Sequence, residues 1–117
     1  MSIYRELIVW QRAMELVTEV YLVSDLLPKN ELYGLIMQMR RAAVSIPSNI
    51  AEGKRRGSNA DYRRFLIMSF GSGAELETQV EIAKRLGFIK DADCVKLEMF
   101  LSEVMKMLNK MIMLLRI

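Results

Sequence analysis

The chain has no histidine, one cysteine and two prolines among its 117 residues, and each shortage removes a class of chemistry. Without histidine, the commonest metal ligand and the commonest general base are both missing. Cys94 alone cannot close an intramolecular disulfide, and a single thiol at an apolar helical spacing reads as core, not as a nucleophile. Aromatic residues are few, with one tryptophan, four tyrosines and four phenylalanines. Tyr62 is the only one placed to stack on a base near the main cationic segment, with Phe65 read as core, so direct base readout is not expected. Long apolar runs are missing too. The longest uncharged stretches, Ala42–Ala51 and Phe65–Ala74, are ten residues each, about half of what a bilayer requires. The opening residues MSIYRELIVW lack the charged region, apolar stretch and cleavage site of a secretory leader, which leads us to expect a cytoplasmic protein. Without a linker-like composition shift or an internal repeat, the length fits one domain over residues 1–117.

What the chain does have is an uneven distribution of charge. Residues 40–64 hold seven basic side chains, Arg40, Arg41, Lys54, Arg55, Arg56, Arg63 and Arg64, against Glu52 and Asp61. The remainder carries ten basic and twelve acidic residues and is mildly acidic. A basic segment on a slightly acidic body is the sequence footprint of a polyanion-binding surface, because phosphate contacts supply most of such affinity. The competing reading is a solvated cationic face.

Apolar periodicity predicts four helices. From about Ile8 to Leu27, the residues Trp10, Ala13, Met14, Val17, Val20, Tyr21 and Ser24 recur at three- and four-residue steps. Pro28 closes this segment, and Asn30 is the expected cap of a second helix starting at Glu31. Leu32, Leu35, Met39, Ala42 or Ala43, Ile46 and Ile50 form its apolar face, and Pro47 predicts a kink or a break. Gly53 and Gly57 bracket Lys54-Arg55-Arg56 at its end. Ser58 with Asp61 three residues later resembles a capping box and opens a third helix from Asn59 to about Leu86, with Gly87 as its C-terminal stop. The small residues around Gly71 and Gly73 imply close approach of another helix. As a phosphate loop, this stretch lacks the preceding strand and the lysine that such loops need. In the fourth helix, from about Asp91, Cys94, Leu97, Leu101, Val104, Leu108, Met111 and Leu115 form a heptad-like seam flanked by Phe100, Met105, Met107, Ile112 and Leu114. That apolar surface is wider than one bundle face needs and points to burial against another subunit. Four helices joined by short connections imply an all-α fold, an antiparallel up-and-down four-helix bundle.

Several phrases are more specific than composition. Val9-Trp10-Gln11-Arg12-Ala13, Glu31-Leu32-Tyr33-Gly34-Leu35, the run RRAAVSIPSNIAEG over residues 40–53, Arg64-Phe65-Leu66, and Gly71-Ser72 followed by Glu75-Leu76-Glu77-Thr78-Gln79 closely resemble the family of four-helix bundle proteins encoded in intervening sequences of bacterial 23S ribosomal RNA genes. The resemblance covers nearly the whole chain and implies assembly as a ring or barrel of five subunits. It also covers accessory proteins of diversity-generating retroelements, which bind nucleic acid and a reverse transcriptase. Phe70 departs from the family's commoner alanine before the glycine, which bears on helix packing and not on the basic segment.

The candidate sites follow from placement. Arg40 and Arg41 are adjacent and diverge by about 100° around a helix, so both cannot serve one surface. We expect them in structural or intersubunit ion pairs with Glu75, Glu77 and Glu81 of the third helix. Lys54, Arg55, Arg56, Arg63 and Arg64 surround a turn with few acidic neighbours and are the candidate nucleic-acid contacts. A metal-dependent nuclease using the three glutamates lacks a companion acidic motif on a second helix. The expectation is a non-enzymatic protein with no metal or cofactor that binds RNA or DNA with low specificity as a homo-oligomer, with a pentamer as the expected size. The alternative is a scaffold that recruits a nucleic-acid enzyme such as a reverse transcriptase without touching nucleic acid itself.

Overall fold

The computed structural model describes residues 3–116. Its long elements are α1 (Ile8–Ser24), α2 (Met37–Arg55), α3 (Asn59–Arg85) and α4 (Val95–Leu114), with no strand among the described residues. Short turns of 3-10 helix at Tyr4–Glu6, Lys29–Glu31 and Asp91–Cys94 precede the helices, and a π-helical turn, Leu32–Ile36, leads into α2. The molecule is 44 Å long and about half as wide. That length matches the 27 residues of α3 at about 1.5 Å of rise each.

α1 buries Val9, Ala13, Leu16, Val20 and Val23, a stripe at alternating four- and three-residue steps. Ala13 and Val20 lie in it as the periodicity predicts, but Met14 and Tyr21 are exposed. The helix is apolar around most of its circumference, so spacing alone does not choose which face turns inward. Arg12 bridges Glu15 at 2.9 Å and Glu103 of α4 at 3.2 Å, fastening α1 to α4.

The start of the second helix differs from expectation. Asn30 lies inside the 3-10 turn Lys29–Glu31, and the capping residue is Glu31, whose carboxylate accepts the Leu35 N–H at 3.2 Å. Gly34 leaves helical geometry there, with φ −109° and ψ −112°, and regular α-helix begins only at Met37. Pro47 does not break α2, which continues through it to Arg55. Pro47 is buried, and beside it Ser69 of α3 donates its hydroxyl to the Ile46 carbonyl at 2.9 Å.

α2 and α3 meet along their length through small residues. The Ser72 and Ser45 hydroxyls share a hydrogen bond at 2.9 Å, and Gly53 packs so tightly that a Cβ there would sit 2.7 Å from Phe65 Cβ. Residue numbers fall along α2 as they rise along α3, so the two helices fold back on each other around Gly57, whose φ of +81° suits glycine. Ser58 accepts the Asp61 N–H at 3.2 Å and caps α3. At the other end of α3, Gly87 (φ +77°) donates to Lys84 O and Phe88 N–H reaches Ala83 O, a Schellman stop. Gly73 faces Met105 of α4, whose sulfur occupies the space a Cβ would need, whereas Gly71 meets nothing within 4 Å. The expected close approach therefore holds at Gly73 and is not made within the chain at Gly71. The α4 seam is buried at Cys94, Leu97, Leu101, Val104 and Leu108, while Leu114 is 75% exposed.

Candidate nucleic-acid interface

The turn between α2 and α3 does gather the predicted cations, but it uses them differently. Lys54 and Arg55 lie in the last turn of α2, where positive charge also suits the negative end of the helix dipole. Lys54 Nζ sits 5.4 Å from the centre of the Tyr62 ring. Arg55 lies 5.3 Å over Tyr4, from the 3-10 turn before α1, and no carboxylate pairs with either cation among the described residues. Arg56 is bound to Glu52 at 3.2 Å and lies over Phe65. Arg64 holds Asp61 more loosely, at 3.5 Å, and lies over the same ring. Both pairs are largely exposed and worth about 0–1 kcal/mol, so phosphate can compete for either arginine.

Arg63 differs from the other four. Its Nε donates to the Ile112 carbonyl at 3.0 Å, and the side chain is half-buried between α3 and α4. The carbonyls of a last helical turn lack intrahelical donors, and Arg63 supplies one. The position could have been suspected from its place three residues before the buried Leu66, on the edge of the inward face.

The fold adds residues to this end that spacing did not reveal. Arg5 lies 5.8 Å over Tyr4, on which Arg55 also packs, and Tyr4 meets Trp10 edge-on at 5.3 Å. The Arg5 guanidinium, with a smaller contribution from Arg55, lowers the Tyr4 phenol below its ordinary pKa. Burial has the opposite effect on Tyr62, whose hydroxyl lacks a partner among the described residues and whose pKa is raised.

Arg40 and Arg41 do not meet the glutamates of α3 within the chain. Arg40 donates through Nε to Ser24 at 2.9 Å, reaches Asp25 at 3.3 Å and lies 4.5 Å over Tyr21. Its partners come from the end of α1. Arg41 is exposed, and with Arg40 it lines an apolar groove of about 610 Å³ formed with Tyr21, Leu32, Met37 and Val44. Glu75 and Glu77 are exposed, and Glu81 pairs with Arg85 on its own helix at 3.0 Å. No cluster of three His, Cys, Asp or Glu side chains suited to a metal occurs among the described residues. Cys94 is fully buried, which pushes its thiol pKa up and keeps it protonated at neutral pH. No helix among the described residues is long and apolar enough to cross a membrane.

Four helices packed on one core, with a cationic turn at one end, define a small all-α bundle protein. Residues 5–110 match the family described as 23S rRNA-intervening sequence protein, and the chain belongs to that family. No curated protein matches it significantly.

Proposed function

We propose that this chain is a non-enzymatic, cytoplasmic nucleic-acid-binding protein. In this reading, its antiparallel up-and-down bundle assembles into a homo-oligomeric ring and contacts RNA or DNA phosphates through the basic end. The observation that carries the reading is the convergence of Arg5, Lys54, Arg55, Arg56 and Arg64 around Tyr4, Tyr62 and Phe65. Glu52 and Asp61 are each matched to one arginine, leaving Arg5, Lys54 and Arg55 without ion pairs among the described residues. Unmatched cations held together produce the positive potential that phosphates seek. A ring would repeat the patch and raise avidity without a new contact.

Self-assembly is supported by apolar side chains left in solvent. Leu22, Leu32 and Tyr33 are exposed at the Arg40–Arg41 end of the bundle, and Met113 and Leu114 at the end of α4. Labelled RNA and DNA titrated with protein at several salt concentrations test the function. Binding whose log affinity falls linearly with log salt supports it, and absence of binding to both at low salt refutes it.

A further inference from the structure

A second groove, of about 350 Å³, opens beside the basic end between α1 and α2. Tyr4 and Trp10 line it in edge-to-face contact with each other, ring centres 5.3 Å apart and planes inclined at 72°, so a base would stack against an open ring face and not between the two. Met14, Pro47 and Ser48 also line it. Arg5 and Arg55 both rest on Tyr4, so their guanidinium groups stand beside the groove.

We infer that this groove is a stacking site for one unpaired base of a single-stranded nucleic acid, with the flanking phosphates on Arg5 and Arg55. The inference rests on the proposed phosphate binding and adds to it a preference for single strands. Size argues for one base, since the volume lies at the low end of the range for ligand clefts, about 300–1,000 Å³. A paired base in a duplex does not present its face to a ring on the groove, whereas an unpaired one does. Charge argues for nucleic acid over an apolar peptide, because the two neighbouring arginines have no carboxylate partner among the described residues. Aromatic walls accept any base through its π-face, so the site selects strandedness and not sequence. The exposed Ser48 hydroxyl offers a polar contact to a base edge.

Trp10 is the only tryptophan, so its fluorescence reports directly on the groove. The assembled protein is titrated with an unstructured oligoadenylate, a duplex of equal length and inorganic polyphosphate, at one salt concentration. Oligoadenylate should quench Trp10, while duplex and polyphosphate should bind without quenching. Tyr4→Leu should weaken oligoadenylate binding on the order of tenfold and polyphosphate binding clearly less, through looser Arg5 and Arg55, with oligomer size unchanged, and Tyr4→Phe should keep the parental affinity for both. Equal binding of all three probes with no change at Trp10 would overturn the stacking site while leaving phosphate binding in place. Failure of all three to bind would overturn both readings. A Trp10 signal that follows protein dilution and ignores oligoadenylate would assign the groove to a second copy of the chain and overturn the inference.

Discussion

Arg63 Nε donates to the Ile112 carbonyl oxygen at 3.0 Å, joining the first turns of α3 to the last turn of α4. An arginine from the basic segment thus serves as a C-terminal cap across two helices. Replacing it with glutamine removes a charge-assisted bond to an end carbonyl, at a cost of about 1–2 kcal/mol. For a chain of this size that lowers the melting temperature by about 4–8 °C. Nucleic-acid affinity of the folded variant should change less than it does for Arg55→Gln. Calorimetry and a binding titration on the same two samples check both parts.

Gly53 and Gly71 should respond oppositely to alanine. A Cβ at Gly53 would lie 2.7 Å from Phe65 Cβ and 3.3 Å from the Tyr62 carbonyl oxygen, and neither group can move without displacing α3. Gly53→Ala should therefore destabilise by about 1–3 kcal/mol, as overpacking does. Gly71 meets nothing within 4 Å, so Gly71→Ala should gain about 0.5–1 kcal/mol of helix propensity. Urea denaturation of the two variants gives both signs.

The contrast between these glycines shows what sequence can reveal. The helices themselves are legible, because Ser58, Gly57 and Gly87 carry local chemistry that depends on no distant partner. Partner choice is not legible. Within the chain, Arg40 meets Ser24 and Asp25 and not the α3 glutamates, because the end of α1 brings Asp25 beside it, and residue spacing does not encode that path. Spacing misplaces Met14 and Tyr21 on α1 for a related reason, since apolar residues nearly encircle the helix. Gly34 is a readable signal for the distorted turn before Met37, one that apolar periodicity passes over. Within the site, the cations around Gly57 are legible from charge alone, whereas Tyr4 and Trp10 join them only through folding.

Lys84 makes a pH prediction. Its ammonium lies between Glu98 at 2.9 Å and Asp91 at 3.0 Å, and hydrogen bonds first to Glu98 and then to Asp91 raise its pKa above the ordinary 10.5. A raised folded-state pKa means that the pair stabilises fully below the unfolded value. The contribution fades as pH climbs from there through the folded value. Lys84→Met should therefore cost about 1 kcal/mol at neutral pH, and the difference from the parent should shrink only above about pH 10.4. Tyr62, also raised by its burial, loses stability in the same direction. Urea midpoints of parent and variant compared at each pH remove that common contribution.

The basic end is tested by changing Lys54, Arg55 and Arg56 together to glutamine. Affinity should fall for every sequence alike, and the slope of log affinity against log salt should flatten by about 0.9 for each phosphate no longer neutralised on duplex DNA. Helicity and oligomer size should stay as in the parent, because none of the three side chains is fully buried. A triple variant that binds like the parent at every salt concentration would make the run a solvated face.

The proposed ring has its own charge logic. Arg41 stands exposed at the edge of the Tyr21, Leu32 and Met37 groove, and Glu77 stands exposed on α3 without a partner among the described residues. A groove on one copy and a different surface on the next make a head-to-tail contact, which closes into a ring where the rotation permits. Burial of the exposed Tyr21 and Leu32 would drive that contact, and opposite charges at Arg41 and Glu77 would set its register. Arg41→Glu should then shift the assembly toward smaller species at micromolar concentration, and Glu77→Arg should do the same. The two changes combined should restore the parental size, because reversing both partners regenerates the pair. Sedimentation velocity on the parent and three variants reads this directly. Recovery in the double variant supports contact between these two surfaces, and a double variant no larger than the single ones separates them.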